Sequence, residues 1–149
     1  MSAEYANLYV VVVGCGRVGS HLAETLSRQG AGVTVVDNRP EVFAELSGEF
    51  SGFTLEADAT EFGTLRQAKA GQADMVFACT DSDNVNILVA QAARDVLGAR
   101  SVSARVHDPD KERLCAALHI PTVCPARVAG DIFLHALAER GAKGGTTHA

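Results

Sequence analysis

The segment 8–37, LYVVVVGCGRVGSHLAETLSRQGAGVTVVD, constrains this chain more than any other. It opens with an apolar run rich in β-branched side chains, which favours a buried strand over a helix. The run breaks into Gly14-Cys15-Gly16-Arg17-Val18-Gly19, a G-x-G-x-x-G. A helical pattern follows, with Val18, Leu22 and Leu26 on one stripe and Ala23 beside them. Gly30 and Gly32 end that helix, residues 33–36 read as a second buried strand, and Asp37 closes it. A glycine motif alone is weak evidence. Set between a strand and a helix, with an acidic residue eighteen positions after Gly19, it predicts a βαβ unit built to hold a nucleotide.

Each residue type has a reason to be there. Gly14 lets the chain turn sharply off the strand, Gly16 leaves the backbone open to a pyrophosphate, and Gly19 lets the helix pack close to the sheet. The helix offers unpaired N–H groups and the positive end of its dipole to a phosphate. Asp37 is placed to accept hydrogen bonds from both ribose hydroxyls of an adenosine. A 2′-phosphate would meet that charge, which disfavours NADP, and Arg39 is the only near cation. Arg17 either contacts phosphate bidentately or stays solvated. Cys15 lies near a helix N-terminus, where a thiolate is favoured, or else simply fills a tight turn.

At 149 residues the chain is long enough for one domain with a real core. A net charge of -5 without a Lys/Arg cluster argues against nucleic acid as a partner. No apolar run reaches the roughly 20 residues of a membrane span, and the start MSAEYANLYV lacks the pattern of a signal peptide. A cytoplasmic protein is expected. Cys15, Cys79, Cys115 and Cys124 show no C-x-x-C spacing, so reduced thiols are the expectation.

Beyond Asp37 the pattern alternates. A short helix opening at Pro40 and ending near Gly48 precedes a strand over 53–57 and a helix for which Thr60 is a candidate cap. A strand over 73–80 leads to the longest expected helix, 82–97. A strand over 101–106, a helix opened by Asp108-Pro109, a brief strand over 122–124 and an amphipathic helix over 127–140 complete the domain, 1–140. Residues 141–149 carry no apolar content and are expected to be disordered. Strands and helices alternating six times predict a doubly wound, Rossmann-like α/β fold, with a six-stranded, mainly parallel sheet and helices on both faces.

In such sheets a ligand lies outside the carboxyl ends of the strands. The expected lining is therefore the glycine loop, Asp37-Asn38, Asp58-Ala59-Thr60 and the turn Thr80-Asp81-Ser82-Asp83-Asn84. Asp58 either reaches the adenine amino group or caps its helix with Thr60, and Thr80 faces the middle of the nucleotide. One of Asp81 and Ser82 is expected to cap the next helix, and Asn84 to contact ligand or glycine loop. The histidines show neither metal-ligand spacing nor a nucleophile–base arrangement, and His107 alone lies near the ligand edge.

These residues together resemble the TrkA N-terminal domain, also called the RCK or KTN domain, of potassium channel and transporter regulators. The resemblance rests on VVVGCGRVGSHLAETL, VTVVDN, the DAT after the third strand, the Thr80-Asp81 turn with Asn84-Ile87-Leu88, and SARVHDPDKERLCAALHIPTVCP. It implies a cytoplasmic, non-enzymatic sensor of NAD(H) or ATP/ADP that forms homodimers or higher rings on a membrane-embedded potassium channel or transporter, without inserting in the membrane itself. It also implies phosphates held at Gly14, Gly16 and Gly19, ribose at Asp37, adenine at Asp58, and a dimer-crossover role for the helix 127–140. Two positions depart from the family pattern: Ala57 and His119 stand where glycine is usual. The second lobe that commonly follows is absent, so the sequence fits a single-lobe protein or part of a longer one. A small NAD-dependent oxidoreductase, and an interaction module without nucleotide affinity, are the alternative readings.

Overall fold

The computed structural model describes residues 4–145. Six strands, β1 Tyr9–Val13, β2 Gly32–Asp37, β3 Phe53–Glu56, β4 Met75–Ala78, β5 Val102–Arg105 and β6 Thr122–Val123, form one sheet in the order β3-β2-β1-β4-β5-β6. Every pairing is parallel. The helices are α1 Arg17–Arg28, α2 Phe62–Gln67, α3 Asp83–Gln91, α4 Pro109–Ala117 and α5 Pro125–Gly145. The strand order reverses between β1 and β4, which opens a crevice at their carboxyl ends.

β1 explains why the valine run is continuous rather than alternating. Val10 and Val12 face α1, where Ala23, Leu22 and Leu26 meet them with Val33 and Val35. Val11 and Val13 face the other way, toward Leu65 of α2, Val76 and Ala78 of β4, and Ile87 and Val89 of α3. A central parallel strand is covered on both faces, so both registers must be apolar. Each fully buried valine contributes roughly 1.5–3 kcal/mol.

Several boundaries differ from expectation for physical reasons. The element after Asp37 is a short 3-10 helix, Pro40–Glu45, rather than a helix reaching Gly48. Thr60 does not cap α2: the capping position is Glu61, with no side-chain cap bond. β4 stops short of Thr80 because the Thr80 N–H is taken by the Asn86 side chain. The expected helix 82–97 divides into α3 and a π-helical turn, Ala92–Val96, in which Leu97 N donates to Ala92 O at 3.0 Å. It is not the longest helix. That is α5, at 21 residues, which continues through Gly145, past the point where disorder was expected to begin. The remainder of the expected tail, 146–149, lies outside the described residues.

His119 occupies the left-handed region at φ 57, just past α4, and Ile120 N donates back to Cys115 O at 2.9 Å. That is the closing geometry glycine usually supplies. Arg94 reaches across to it: its NH1 and NH2 groups donate to His119 O and Leu118 O at 2.7 and 2.9 Å, satisfying the helix end. On α5, Val128, Ile132, Phe133, Leu134 and Leu137 are all exposed, Phe133 by 76%. No helix among the described residues is long and apolar enough to cross a membrane.

Candidate nucleotide-binding site

The glycine loop is fixed by contacts no other residue would permit. Gly14 sits at φ +99, and a Cβ there would lie 2.7 Å from Cys79 O; a Cβ on Gly19 would lie 1.8 Å from Gly14 O. These two glycines let the loop pass over β4 and let α1 seat against it. Gly16 differs. A Cβ there would meet nothing within 4 Å, so the space before the loop is open. Gly16 is also the N-cap of α1, with no side-chain cap and no acidic residue in the first turn. The helix therefore presents its N-terminal amides to that space without a protein anion to compete.

Asp37 ends β2 and is buried. Its Oδ2 accepts from Cys15 N at 2.9 Å and its Oδ1 from Arg39 N at 2.9 Å, with Arg39 Nε at 3.5 Å. A carboxylate has about four acceptor sites, so capacity remains for a hydroxyl pair. Cys15 lies behind the loop. Burial first, and then Asp37, Glu24 and Glu45, push its thiol up from the ordinary 9.0 to about 11. The expected bias toward a thiolate is reversed: the apolar surroundings and nearby carboxylates outweigh the helix end.

An open cleft of about 350 Å³ runs along the carboxyl ends of β1 to β4. Of the expected residues, Gly14, Gly16, Asp37, Asn38, Asp58, Ala59, Thr60, Thr80, Asp81 and Ser82 line it. Gly19 lies beneath it, Val18 is half-buried on α1, and Arg17 is exposed at the helix head. Asn84 is exposed on α3 and does not line the cleft. The buried asparagine is Asn86, which binds Thr80 and Arg105. Val13, Val36, Cys79 and Val85 form an apolar floor.

The rim is held by local bonds. Asp58 Oδ1 accepts from Thr60 Oγ1 at 2.7 Å and Thr60 N at 2.8 Å, which hold its carboxyl below the ordinary range. Ser82, not Asp81, caps α3 through Val85 N. Asp83 accepts from His107 N at 3.1 Å and Asp108 N at 3.0 Å. Burial opposes its ionisation, yet these bonds outweigh burial and hold its pKa below the ordinary value. This ties the end of β5 to the start of α3.

An all-parallel sheet with a switch point, a glycine loop leading into an uncapped helix and a buried carboxylate ending β2 define a Rossmann-type domain of the nucleotide-binding kind. The model of the TrkA-N domain matches residues 10–125, and the chain belongs to that family. It is 38% identical over 136 residues to the Trk system potassium uptake protein TrkA of Streptomyces coelicolor, covering 91% of this chain and 61% of that one. The chain thus spans about three fifths of that relative. Among solved structures, the TrkA-N domain of inner membrane protein ybaL from Escherichia coli superposes with a TM-score of 0.75 at 21% identity, over 87% of this chain and 96% of that one. The Kef CTD of Shewanella denitrificans in its AMP-bound form superposes at 0.72 and 20% identity, over 89% and 82%. At such identities these two likenesses concern the fold alone.

Proposed function

We propose that this chain is a nucleotide-sensing regulatory domain that controls potassium transport from the cytoplasmic side of a membrane channel or transporter, and that it is not an enzyme. The observation that carries the nucleotide reading is the open space before Gly16, over the uncapped start of α1 and beside Asp37. Phosphates belong at Gly14, Gly16, Gly19 and the amides from Gly16 to Val18, with Arg17 at the helix head. Ribose belongs at Asp37 and Asn38, adenine beside Asp58 and Ala59, and the middle of the nucleotide at Thr80 and Asp81. NAD(H) or ATP/ADP fits this set. A neighbour of the same fold solved with AMP supports an adenine nucleotide, and the likeness to a potassium uptake protein supports the transport role.

The exposed apolar side of α5 suits a crossover helix that a second copy covers, in a homodimer or larger ring. Control then requires two nucleotides to bind two arrangements of that assembly with different affinity, since equal affinity shifts nothing. Rubidium uptake by cells tests the role. Deleting the chain and introducing Gly16→Asp should both alter the uptake rate or its response to energy supply. Unaltered uptake in both strains would contradict the role, and turnover of NADH with small carbonyl compounds would favour an oxidoreductase instead.

A further inference from the structure

A second cavity, of about 520 Å³, lies on the α2 side of the sheet beside β3, and it shares no lining residue with the nucleotide cleft. Val11, Thr34 and Phe53 stand side by side in β1, β2 and β3, so their side chains share one face. Leu65 of α2 belongs to the core around Val11, but α2 ends at Gln67 and leaves Phe53 75% exposed. Phe53, Leu55 and the ring of Tyr9 give the cavity its apolar wall. The segment at and after the end of α2 supplies the other wall, with Gln67, Lys69 and Gln72.

Lys69 stands out in that wall. It holds φ 58, the left-handed conformation that glycine usually takes just past a helix. Its ammonium is in no ion pair among the described residues. No carboxylate lines the cavity, although the chain carries a net charge of -5. The buried hydroxyls are already committed. Tyr9 OH donates to Ala68 O at 2.5 Å, so Thr34 must be the donor in its 2.8 Å bond with Tyr9. The strongest free donors are therefore the Lys69 ammonium and the side-chain amides of Gln67 and Gln72, which come from one segment, while the Phe53 ring comes from the sheet. We infer that this cavity is a second ligand site, for a small aromatic carboxylate whose ring lies against Phe53 and whose charge is met by Lys69 and the two amides. A neutral ligand leaves the ammonium unmatched, and a cation is repelled by it. The inference does not depend on the nucleotide reading above.

Amide NMR titration of the isotope-labelled chain with benzoate, naphthoate and indoleacetate, each beside its neutral carboxamide, tests it. Saturating shifts at Phe53, Lys69 and Gln72 are expected, with each carboxamide binding roughly tenfold or more weakly. Lys69→Gly removes the charge and suits the backbone, and Phe53→Ala changes an exposed ring, so both variants should fold. Each should weaken the carboxylates by about tenfold or more, with the ligand-free melting temperature as the control for folding. Arg66→Gln, at an exposed cation that does not line the cavity, should change them by less than about twofold. The site is overturned by the absence of saturable shifts with all three carboxylates, or by shifts confined to residues outside the cavity. Equal binding of carboxylate and carboxamide, or undiminished binding by Lys69→Gly, overturns it as well.

Discussion

The side-chain oxygen of Asn86 accepts two hydrogen bonds from Thr80, from N at 2.8 Å and from Oγ1 at 2.7 Å. Its Nδ2 donates to Thr80 O at 3.0 Å and to Arg105 O at 2.9 Å. One fully buried amide thus ends β4, aims Thr80 at the cleft and pins the end of β5. Losing it strands the Thr80 N–H and the Arg105 carbonyl. Asn86→Ala should cost about 2–4 kcal/mol in urea denaturation, whereas Asn84→Ala, on the exposed side of α3, should change stability by less than about 0.5 kcal/mol. Equal effects would contradict the assignment.

The three loop glycines should separate by experiment. Gly19→Ala forces a Cβ against Gly14 O, a backbone atom that cannot yield without moving the strand. It should destabilise the fold by several kcal/mol. Gly16→Ala meets nothing and should leave the melting temperature within a few degrees. Comparable melting temperatures for the two variants would show that the loop is not seated as described.

His119 holds a conformation that favours glycine. His119→Gly should stabilise the domain by about 1 kcal/mol, a rise of roughly 3–5 °C in melting temperature. Arg94→Ala should do the reverse, because two carbonyls at the end of α4 lose their donors. A lower melting temperature for His119→Gly would mean that its imidazole contributes more than its backbone costs.

Burial is the first cause that raises both Cys15 and Cys79 from the ordinary 9.0 to about 11. Their protonated forms are favoured in the folded chain. The resulting stability is complete below about pH 9 and is lost as pH rises through about 11. Denaturation midpoints should therefore fall over that alkaline window, and less steeply in Cys15→Ala/Cys79→Ala. Iodoacetamide should modify both thiols slowly at pH 8 unless urea is added. Rapid labelling of Cys15 or Cys79 in the native chain at pH 8 would contradict the burial, whereas the half-buried Cys124 can react.

The glycine motif, Asp37 and the βα rhythm were legible because each is a local signal: a turn needing φ > 0, a carboxylate at a strand end, a period. The mainly parallel sheet followed from that rhythm, and the structure makes every pairing parallel. Asn86 was not legible, since its importance depends on the carbonyl of Arg105, nineteen residues away in sequence. Asn84 is just as polar and two positions earlier, and propensity cannot tell them apart. Of the two readings of Cys15, the buried thiol agrees with a residue that fills a tight turn. A helix N-terminus lowers a thiol's pKa, but burial and the approach of Asp37 act in the other direction and are tertiary facts. The length of α5 was underestimated because glycine-rich sequence after Arg140 reads as a stop.

Isothermal titration of the purified chain with NAD, NADH, NADP, ATP, ADP and AMP, beside Gly16→Asp, bears most directly on the nucleotide site. Binding of NAD(H) and of the adenine nucleotides but not of NADP, abolished by Gly16→Asp with the ligand-free melting temperature unchanged, is the predicted result. No heat from any ligand, or undiminished binding by Gly16→Asp, would contradict it.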